Sequence, residues 1–375
     1  MTDTVKGFND YTGKDAVKRA EIKKILVETF EKYGFEPAET PVIEYEEFVK
    51  GDNQQDEVIS DIFKLQDRGK RKLALRYEFT FQLKRLMKNK KLPYKRYQIG
   101  PVFRDEPTSA NRFRQITQCD VDIMGSTIKD EAEVLSVVKQ VFDKLNIKFT
   151  IYVNNRKLLN EILGELGRQN KEQIIKELDK LDKLPEKIIK DNLKKYSADK
   201  ILNILKKPES YFKKYKSYSE IAELKKYCKY YNIDIKFQPS LARGLSYYNG
   251  NVFEVKTKGI KETICAGGSF IFNNIQSTGV AFGLDRIAGL AEINDKDEKI
   301  MILSINQDKE AIKLVQKLRK SGKSVIVYYG KPSKALEYAN STGIAKVIFV
   351  GKEEIKKKKF KVKDMKTGRQ KLEKI

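Results

Sequence analysis

The sequence predicts an α+β chain, and three observations predict it. Residues 97–125 read as a strand, a polar loop and a second strand. Residues 156–235 show helical periods, abundant lysine and little glycine after Gly167. From residue 299 onward strands and helices alternate, the pattern of a small α/β domain with a mixed or parallel sheet. A length of 375 residues suffices for two or three domains, and a hydrophobic share of 40% supplies a core for them.

The elements follow in order. Over residues 14–33, Val17, Ile22, Ile25, Leu26 and Phe30 recur at helical spacing, and Gly34 ends the run. Residues 35–44 read as one extended strand, because Pro37 and Pro41 are barred from a helix interior. Strands at 63–65 and 72–75 flank a turn at 67–69. Residues 79–89 read as helix. Residues 130–145 read as an amphipathic helix with Ala132, Val134, Leu135, Val138, Val141 and Phe142 apolar, and 149–153 as a strand. Beyond a linker at 294–298 come a strand at 300–305, a helix at 309–320, a strand at 324–329, a helix at 333–342 and a strand at 346–350.

The hairpin at 97–125 carries the densest chemistry. Side chains repeat every second residue along a strand, so Arg114, Ile116, Gln118, Asp120 and Asp122 share one face. Arg104 and Glu106 stand at the end of the first strand, and Arg112 follows the loop. Such a hairpin can hold a polyphosphate at one end and a small polar molecule at the other. Taken alone, the pattern fits a solvated surface hairpin equally well.

Composition narrows the classes. Lys and Arg number 76 against 52 Asp and Glu, and the resulting net charge of +24 attracts polyanions. A lysine-rich compositional bias gives the same number. The cysteines Cys119, Cys228 and Cys265 are odd in number and widely spaced, so neither a zinc site nor a disulfide framework is expected, and no metal ligands are assigned. A reducing, cytoplasmic compartment is the simple expectation. No signal-type apolar core begins the chain, and no run is long and apolar enough for a membrane. The absence of histidine excludes histidine ligands, histidine general bases and Ser-His-Asp chemistry.

Five blocks, in order, carry a resemblance. Arg104-Asp105-Glu106 with Arg112 resembles motif 2 of the class II aminoacyl-tRNA synthetases, and GVAFGLDR at 279–286 resembles their motif 3. LRYEFT at 75–80, LARGLSYYNGNVFE at 241–254 and CAGGSF at 265–270 are similar to the histidine-binding strand and the two signature segments of the histidyl-tRNA synthetases. The resemblance covers nearly the whole chain. It implies a class II catalytic domain, an antiparallel sheet flanked by helices, built from 1–155 and 236–293. It further implies a helical insertion at 156–235 and an anticodon-binding α/β domain at 299–375. In that family the first helix and the strand bearing Pro41 form a homodimer interface, and the insertion leans on the tRNA acceptor arm. On local evidence each could equally be an ordinary helix–strand pair and a solvated decoration. The lysines at 356–359 could touch the tRNA backbone or simply face water.

The resemblance also implies a reaction: ATP-dependent activation of L-histidine to histidyl-adenylate, then transfer to tRNA(His). Arg104 and Arg243 are the catalytic candidates, and Arg243 is the main electrostatic one. Arg104, Glu106, Arg112, Ile116 and Arg286 would hold ATP, with Mg²⁺ on its phosphates. Glu78, Thr80, Arg104, Gln118, Asp122, Arg243, Tyr247, Tyr248 and Gly267 would bind histidine. Residues of these types suit the task. Arginine forks hold phosphate oxygens bidentately and stay charged, while carboxylates, amides and hydroxyls can satisfy both imidazole nitrogens. Tyr247 and Tyr248 can line one pocket only if the chain turns there, and otherwise pack in a core. Gly244 offers a bend, and Gly267-Gly268 a close backbone approach. Three positions depart from the family: Ser246 for aspartate, Ile116 for the aromatic against adenine, and Ser269-Phe270 for Arg-Tyr. The rival readings are a non-catalytic, histidine-binding regulatory paralogue of the same fold and a basic RNA-binding protein without enzymatic role.

Overall fold

The computed structural model describes residues 3–50, 60–109, 112–293 and 299–375, so the linker expected at 294–298 lies outside the described residues. The chain divides into two compact units after Ile293.

The first unit opens with α1 (Gly13–Lys32), which buries Ile22, Leu26 and Phe30 and ends at Gly34 with φ +76°, a left-handed conformation open to glycine. The single strand expected at 35–44 is divided. β1 (Glu36–Pro37) pairs in parallel with the central sheet, while β2 (Ile43–Tyr45) joins a separate three-stranded sheet. The two prolines lack the N–H a continuing ladder needs. Arg76 fills the gap, donating from Nη1 to the Thr40 carbonyl at 2.7 Å and from its backbone N–H to that of Val42 at 2.9 Å.

A short helix, α2 (Glu46–Lys50), precedes β3 (Lys64–Gln66) and β4 (Lys72–Leu75). Residues 76–80, expected as strand, are irregular and buried. The helix expected at 79–89 shrinks to α3 (Leu83–Leu86). Its approach is a run of tight turns, with Leu83, Lys84 and Arg85 each donating back three residues. Phe79, Thr80 and Phe81 are all buried, so this stretch has no exposed face for an amphipathic helix to turn toward water.

β5 (Tyr94–Phe103) and β6 (Gln115–Met124) form the expected hairpin in antiparallel register. α4 (Ile128–Lys144) follows, its start held by Asp130 accepting from the Thr127 backbone N–H at 2.7 Å. β7 (Thr150–Asn155) leads into six helices: α5 (Arg156–Glu165), α6 (Lys171–Leu178), α7 (Glu186–Lys194), α8 (Ile201–Leu205), α9 (Glu209–Phe212) and α10 (Tyr218–Tyr230). β8 (Ile235–Phe237), β9 (Tyr248–Lys256), β10 (Cys265–Phe272), β11 (Ile275–Gly283) and α11 (Leu284–Leu290) complete the unit.

The central sheet runs β1-β5-β6-β11-β10-β9-β7-β8, antiparallel from β5 through β7, with β1 and β8 added in parallel at the edges. One face packs on helices. Cys119, Val121 and Ile123 of β6 join Phe30, Val134, Val138, Phe142 and Phe282 in a continuous core that also takes in Leu158, Ile175, Leu193 and Ile221 from the helices after β7. Fully burying each such side chain is worth roughly 1.5–3 kcal/mol. The alternation that fills this face with Cys119, Val121 and Ile123 leaves Gln118, Asp120 and Asp122 on the other.

The second unit contains β12 (Ile300–Ser304), α12 (Asp308–Lys320), β13 (Val325–Tyr329), α13 (Pro332–Ser341), β14 (Lys346–Val350), α14 (Lys352–Lys357), β15 (Phe360–Asp364) and β16 (Gln370–Glu373). Its sheet is mixed, in the order β13-β12-β14-β15-β16, with the first three strands parallel and the last two antiparallel. The last strand pair is additional to the sequence reading, its lysine-rich stretch hiding the alternation.

Candidate active site

The open face of the central sheet becomes a groove because its middle strands are stripped of side chains. Across β6, β11 and β10, Asp122 stands opposite Gly279 and Gly268, and Asp120 opposite Ala281 and Ala266. A side chain on Gly279 would come within 2.1 Å of Asp122 Oδ1. One on Gly267 would come within 1.9 Å of the Gly279 carbonyl oxygen. The missing side chain of Gly267 therefore serves strand packing rather than the approach of a ligand.

One wall of the groove is the segment 76–80. Glu78 is buried, with Oε1 accepting from the Phe81 N–H at 3.0 Å and Oε2 from the Tyr247 hydroxyl at 3.1 Å. Burial pushes its pKa up to about 7, opposed by hydrogen bonds from Tyr247 and Thr80. Tyr247 lies in the turn just before β9, and this lets both tyrosines face inward, their ring centroids 4.7 Å apart. Phe81, Phe270 and Phe272 pack edge-on or tilted around Tyr247. Phe270, in place of the family's tyrosine, thus contributes a purely apolar wall. Ser269 turns to the opposite side and donates to the buried Glu131 of α4.

The opposite wall carries Arg243. Asn154 donates to the Pro239 and Leu241 carbonyls at 2.9 and 2.8 Å, and Arg156 to that of Arg243 at 3.1 Å, fixing the loop on which it stands. Glu254 of β9 takes its guanidinium at 2.8 Å. Burial works against the charge of Arg243, but Tyr248, Glu254 and Asp179 outweigh it and hold the arginine ionised.

At the mouth three arginines come together. Arg104 stacks on the Tyr77 ring at 4.5 Å and donates to Gln118 Oε1 at 3.3 Å. Arg112 pairs with Glu106. Arg286, at the start of α11, donates to the Thr263 carbonyl at 2.6 Å. Burial lowers its pKa below the ordinary value, Glu262 opposes this, and the nearby charges of Arg104 and Arg112 add to it. Like charges held this close favour an anion among them. Ile116 is half-buried on the same face as Gln118, opposite Val102.

Two carboxylates on β6 have separate fates. Asp122 is ion-paired with Arg96 at 2.7 Å, and Asp120 accepts from Gln118 Nε2 at 2.9 Å. Arg96 is absent from the sequence reading, although the hairpin register places it directly opposite Asp122. Counting outward from the loop would have found the pair. Among the described residues no group of three or more His, Cys, Asp or Glu side chains could hold a metal ion.

The whole chain has known relatives. The family model described as histidyl-tRNA synthetase matches residues 7–287, and the anticodon binding domain model matches residues 299–375. The chain is 34% identical to histidine–tRNA ligase 1 of Bacillus cereus, covering 97% of this chain and 95% of that protein. It is 30% identical to the histidine–tRNA ligase of Helicobacter pylori, over 97% of this chain and 94% of that protein. Its fold matches that of histidyl-tRNA synthetase from Nostoc sp. PCC 7120 with a TM-score of 0.84 at 23% identity, covering 99% and 96% of the two chains. It also matches a structure described as an ATP phosphoribosyltransferase regulatory subunit/histidyl-tRNA synthetase from Bacillus halodurans C, with a TM-score of 0.79 at 20% identity, covering 93% and 98%. Matches to two family models that together span nearly all of the chain, and identity of this level over whole proteins, show that it belongs to the histidyl-tRNA synthetase family of class II aminoacyl-tRNA synthetases.

Proposed function

We propose that this chain activates L-histidine with ATP to histidyl-adenylate and transfers the histidyl group to tRNA(His). The observation that carries this reading is the gathering of Arg104, Arg112 and Arg286 at one end of a groove that holds Glu78 and Tyr247. In the first step a carboxylate oxygen of histidine bonds to the α-phosphorus, and the bond to pyrophosphate breaks. The carboxylate is already ionised at neutral pH, so no general base is required. The protein supplies alignment and compensation of charge. Arg104 and Arg243 meet the α-phosphate and the carboxylate, Arg112 with Glu106 and Arg286 hold the outer phosphates, and Ile116 lies against adenine. Mg²⁺ on the phosphates would add a Lewis acid, and Glu106 and Glu262 are the acidic side chains among the arginines. Glu78, Thr80 and Tyr247 satisfy the imidazole, with Tyr248 and Gln118 completing the pocket. A site built to hydrogen-bond its ligand rejects analogues lacking those groups.

The segments 1–155 and 236–293 would form the catalytic domain, 156–235 an insertion against the acceptor arm, and 299–375 the reader of the anticodon. A homodimer through α1 and the strand after Pro41 is supported by exposed Val42, Ile43 and Tyr45. The substitutions at Ser246, Ile116 and Ser269-Phe270 favour a second reading, a histidine-binding regulatory paralogue. Histidine-dependent exchange of pyrophosphate into ATP separates the two: exchange supports the synthetase, and histidine binding without exchange supports the paralogue.

A further inference from the structure

Behind the central sheet, on the side of its helices, Glu131 stands in the first turn of α4 and is 5% exposed. Its Oε1 accepts from the Ser269 hydroxyl of β10, and its Oε2 from Asn251 Nδ2 of β9 at 2.7 Å. Asn251 Oδ1 accepts in turn from Asn155 at 2.9 Å, and Asn155 also donates to Glu220 of α10 at 2.7 Å. Ser269, Asn251 and Asn155 are buried as well. A serine in place of the family's arginine at 269 leaves this carboxylate with a hydroxyl and an amide as its donors. Burial pushes the Glu131 carboxyl up to about 7 and Glu220 adds to this, while the hydrogen bonds from Ser269 and Asn251 and the charge of Lys157 oppose it. Lys157 itself pairs with Glu220 at 2.6 Å.

The two donors to Glu131 face each other across an irregularity in the sheet. Gly268 pairs with Val252, but Phe270 pairs with Tyr248, so Ser269 alone stands against Asn249, Gly250 and Asn251. In unbroken register Tyr248 would fall opposite Phe272. The bulge instead sets it opposite Phe270, where Tyr247 reaches Glu78 at 3.1 Å and lies 4.7 Å from the Tyr248 ring. A bulge re-aims side chains but gives up ladder hydrogen bonds, so something else must hold it. The space is tight: a side chain on Gly250 would come within 3.1 Å of Ser269 Cβ. Asn249 is held by Gln276 of β11 at 2.9 Å. Asn251 and Ser269 are held by Glu131.

We infer that Glu131 is a positioning residue for histidine binding: from behind the sheet it clamps Ser269 to Asn251 and so fixes the β9 bulge that aims Tyr247 and Tyr248 into the groove. This rests on the histidine-binding reading of the groove and adds to it a residue that touches no substrate. The clamp lies at the tyrosine end of the sheet, and the arginines that would hold ATP draw on other contacts, Glu106 for Arg112 and the Thr263 carbonyl for Arg286. Loss of Glu131 therefore disturbs one ligand and spares the other.

The test measures Kd for L-histidine and for ATP by calorimetric titration of the full chain. Glu131→Ala is expected to weaken histidine binding by about tenfold, the scale of one buried hydrogen bond, and to leave ATP within about twofold. Glu131→Gln should stay within about threefold for both ligands, because its amide can accept from Asn251 and donate to the Ser269 hydroxyl. In a Tyr247→Phe background, which already lacks the hydroxyl on Glu78, the effect of Glu131→Ala should shrink, as for residues that act through one another. Retained ATP binding reports that the variant is folded; if Glu131→Ala does not fold, Asn251→Ala removes the same hydrogen bond from its other end and takes its place in each comparison. Equal losses of both ligands, no loss of either, a glutamine variant no better than alanine, or full additivity with Tyr247→Phe would overturn the assignment. If the unaltered chain binds no histidine, the functional reading fails instead, and the two failures are therefore distinct.

Discussion

Arg96 and Asp122 face each other across the hairpin at 2.7 Å with both side chains sealed from solvent, 0% and 5% exposed. The charge of Arg96 also acts on neighbouring Asp120, and two nitrogens of Arg96, Nε and Nη1, lack hydrogen-bond partners. Such a pair adds little net stability over an apolar pair but is costly to halve.

Arg96→Leu is therefore expected to destabilise the first unit by about 3–5 kcal/mol in urea melts near pH 8. The loss should shrink near pH 5. Burial already raises the pKa of both Asp120 and Asp122, and Arg96 is what holds those values down. Without it the carboxyls take up protons more readily, so acid relieves the stranded charge. A loss that is the same at both pH values would mean that the pair is not the source of the effect.

Glu78 gives a second pH dependence with a defined sign. Its folded pKa, about 7, lies above the ordinary 4.5, so the fold favours the neutral form. That contribution is complete below about 4.5 and is lost as pH climbs through 7, a swing of roughly 3 kcal/mol. Glu78→Gln cannot ionise, so its stability relative to wild type should be greater at pH 8 than at pH 5. Activity should move the other way. The ionised carboxylate accepts the imidazole N–H, so wild-type kcat/KM for histidine should rise through about pH 7, and the variant should lose about 10- to 100-fold at pH 8. Histidine titrates in the same range, which makes the difference between the two profiles the informative quantity. Parallel profiles would remove Glu78 from the imidazole site.

Much of this was legible in the sequence, and the illegible part has a physical pattern. Period-two alternation on β6 separated Gln118, Asp120 and Asp122 from Cys119, Val121 and Ile123 without any coordinates, because a strand has only two faces. What alternation cannot give is which carboxylate finds a counter-charge, since that depends on register with β5. The stretch 76–80 misled for a related reason. Its residues are buried on all sides, and burial on all sides has no period to read. Contacts such as Tyr247 with Glu78 join segments 169 residues apart, and only the resemblance, not the local pattern, linked those blocks.

The arginines should separate by kinetic signature in pyrophosphate exchange. Arg104→Ala and Arg243→Ala, acting where charge develops, are expected to lower kcat by about 100- to 1,000-fold. Arg112→Ala and Arg286→Ala should chiefly raise KM for ATP, because the outer phosphates are held alike before and during reaction. Lysine at 243 should not restore the rate, since Glu254 holds a planar fork that an ammonium cannot reproduce. A kcat unaffected by loss of Arg243 would dismiss it as the electrostatic catalyst.

Arg286 owes its place to the residue before it. Asp285 accepts from Arg19 of α1 at 2.7 Å, from the Thr117 N–H of β6 at 2.7 Å and from the Tyr11 hydroxyl at 3.0 Å. Arg19 in turn reaches Thr117 Oγ1 at 2.8 Å and stacks on the Tyr11 ring at 3.8 Å. One ion pair thus ties the first helix, the hairpin and α11 together behind the phosphate end of the groove. Arg19→Met is expected to raise KM for ATP about tenfold while moving KM for histidine by less than about twofold, because the disturbance enters through Arg286 and a displacement of about an ångström is enough for such losses. Combined with Asp285→Asn, the effects should fall short of additive by roughly 0.5–3 kcal/mol, as for residues in contact. Full additivity, or an equal rise in both KM values, would show that the pair stabilises the fold without positioning Arg286.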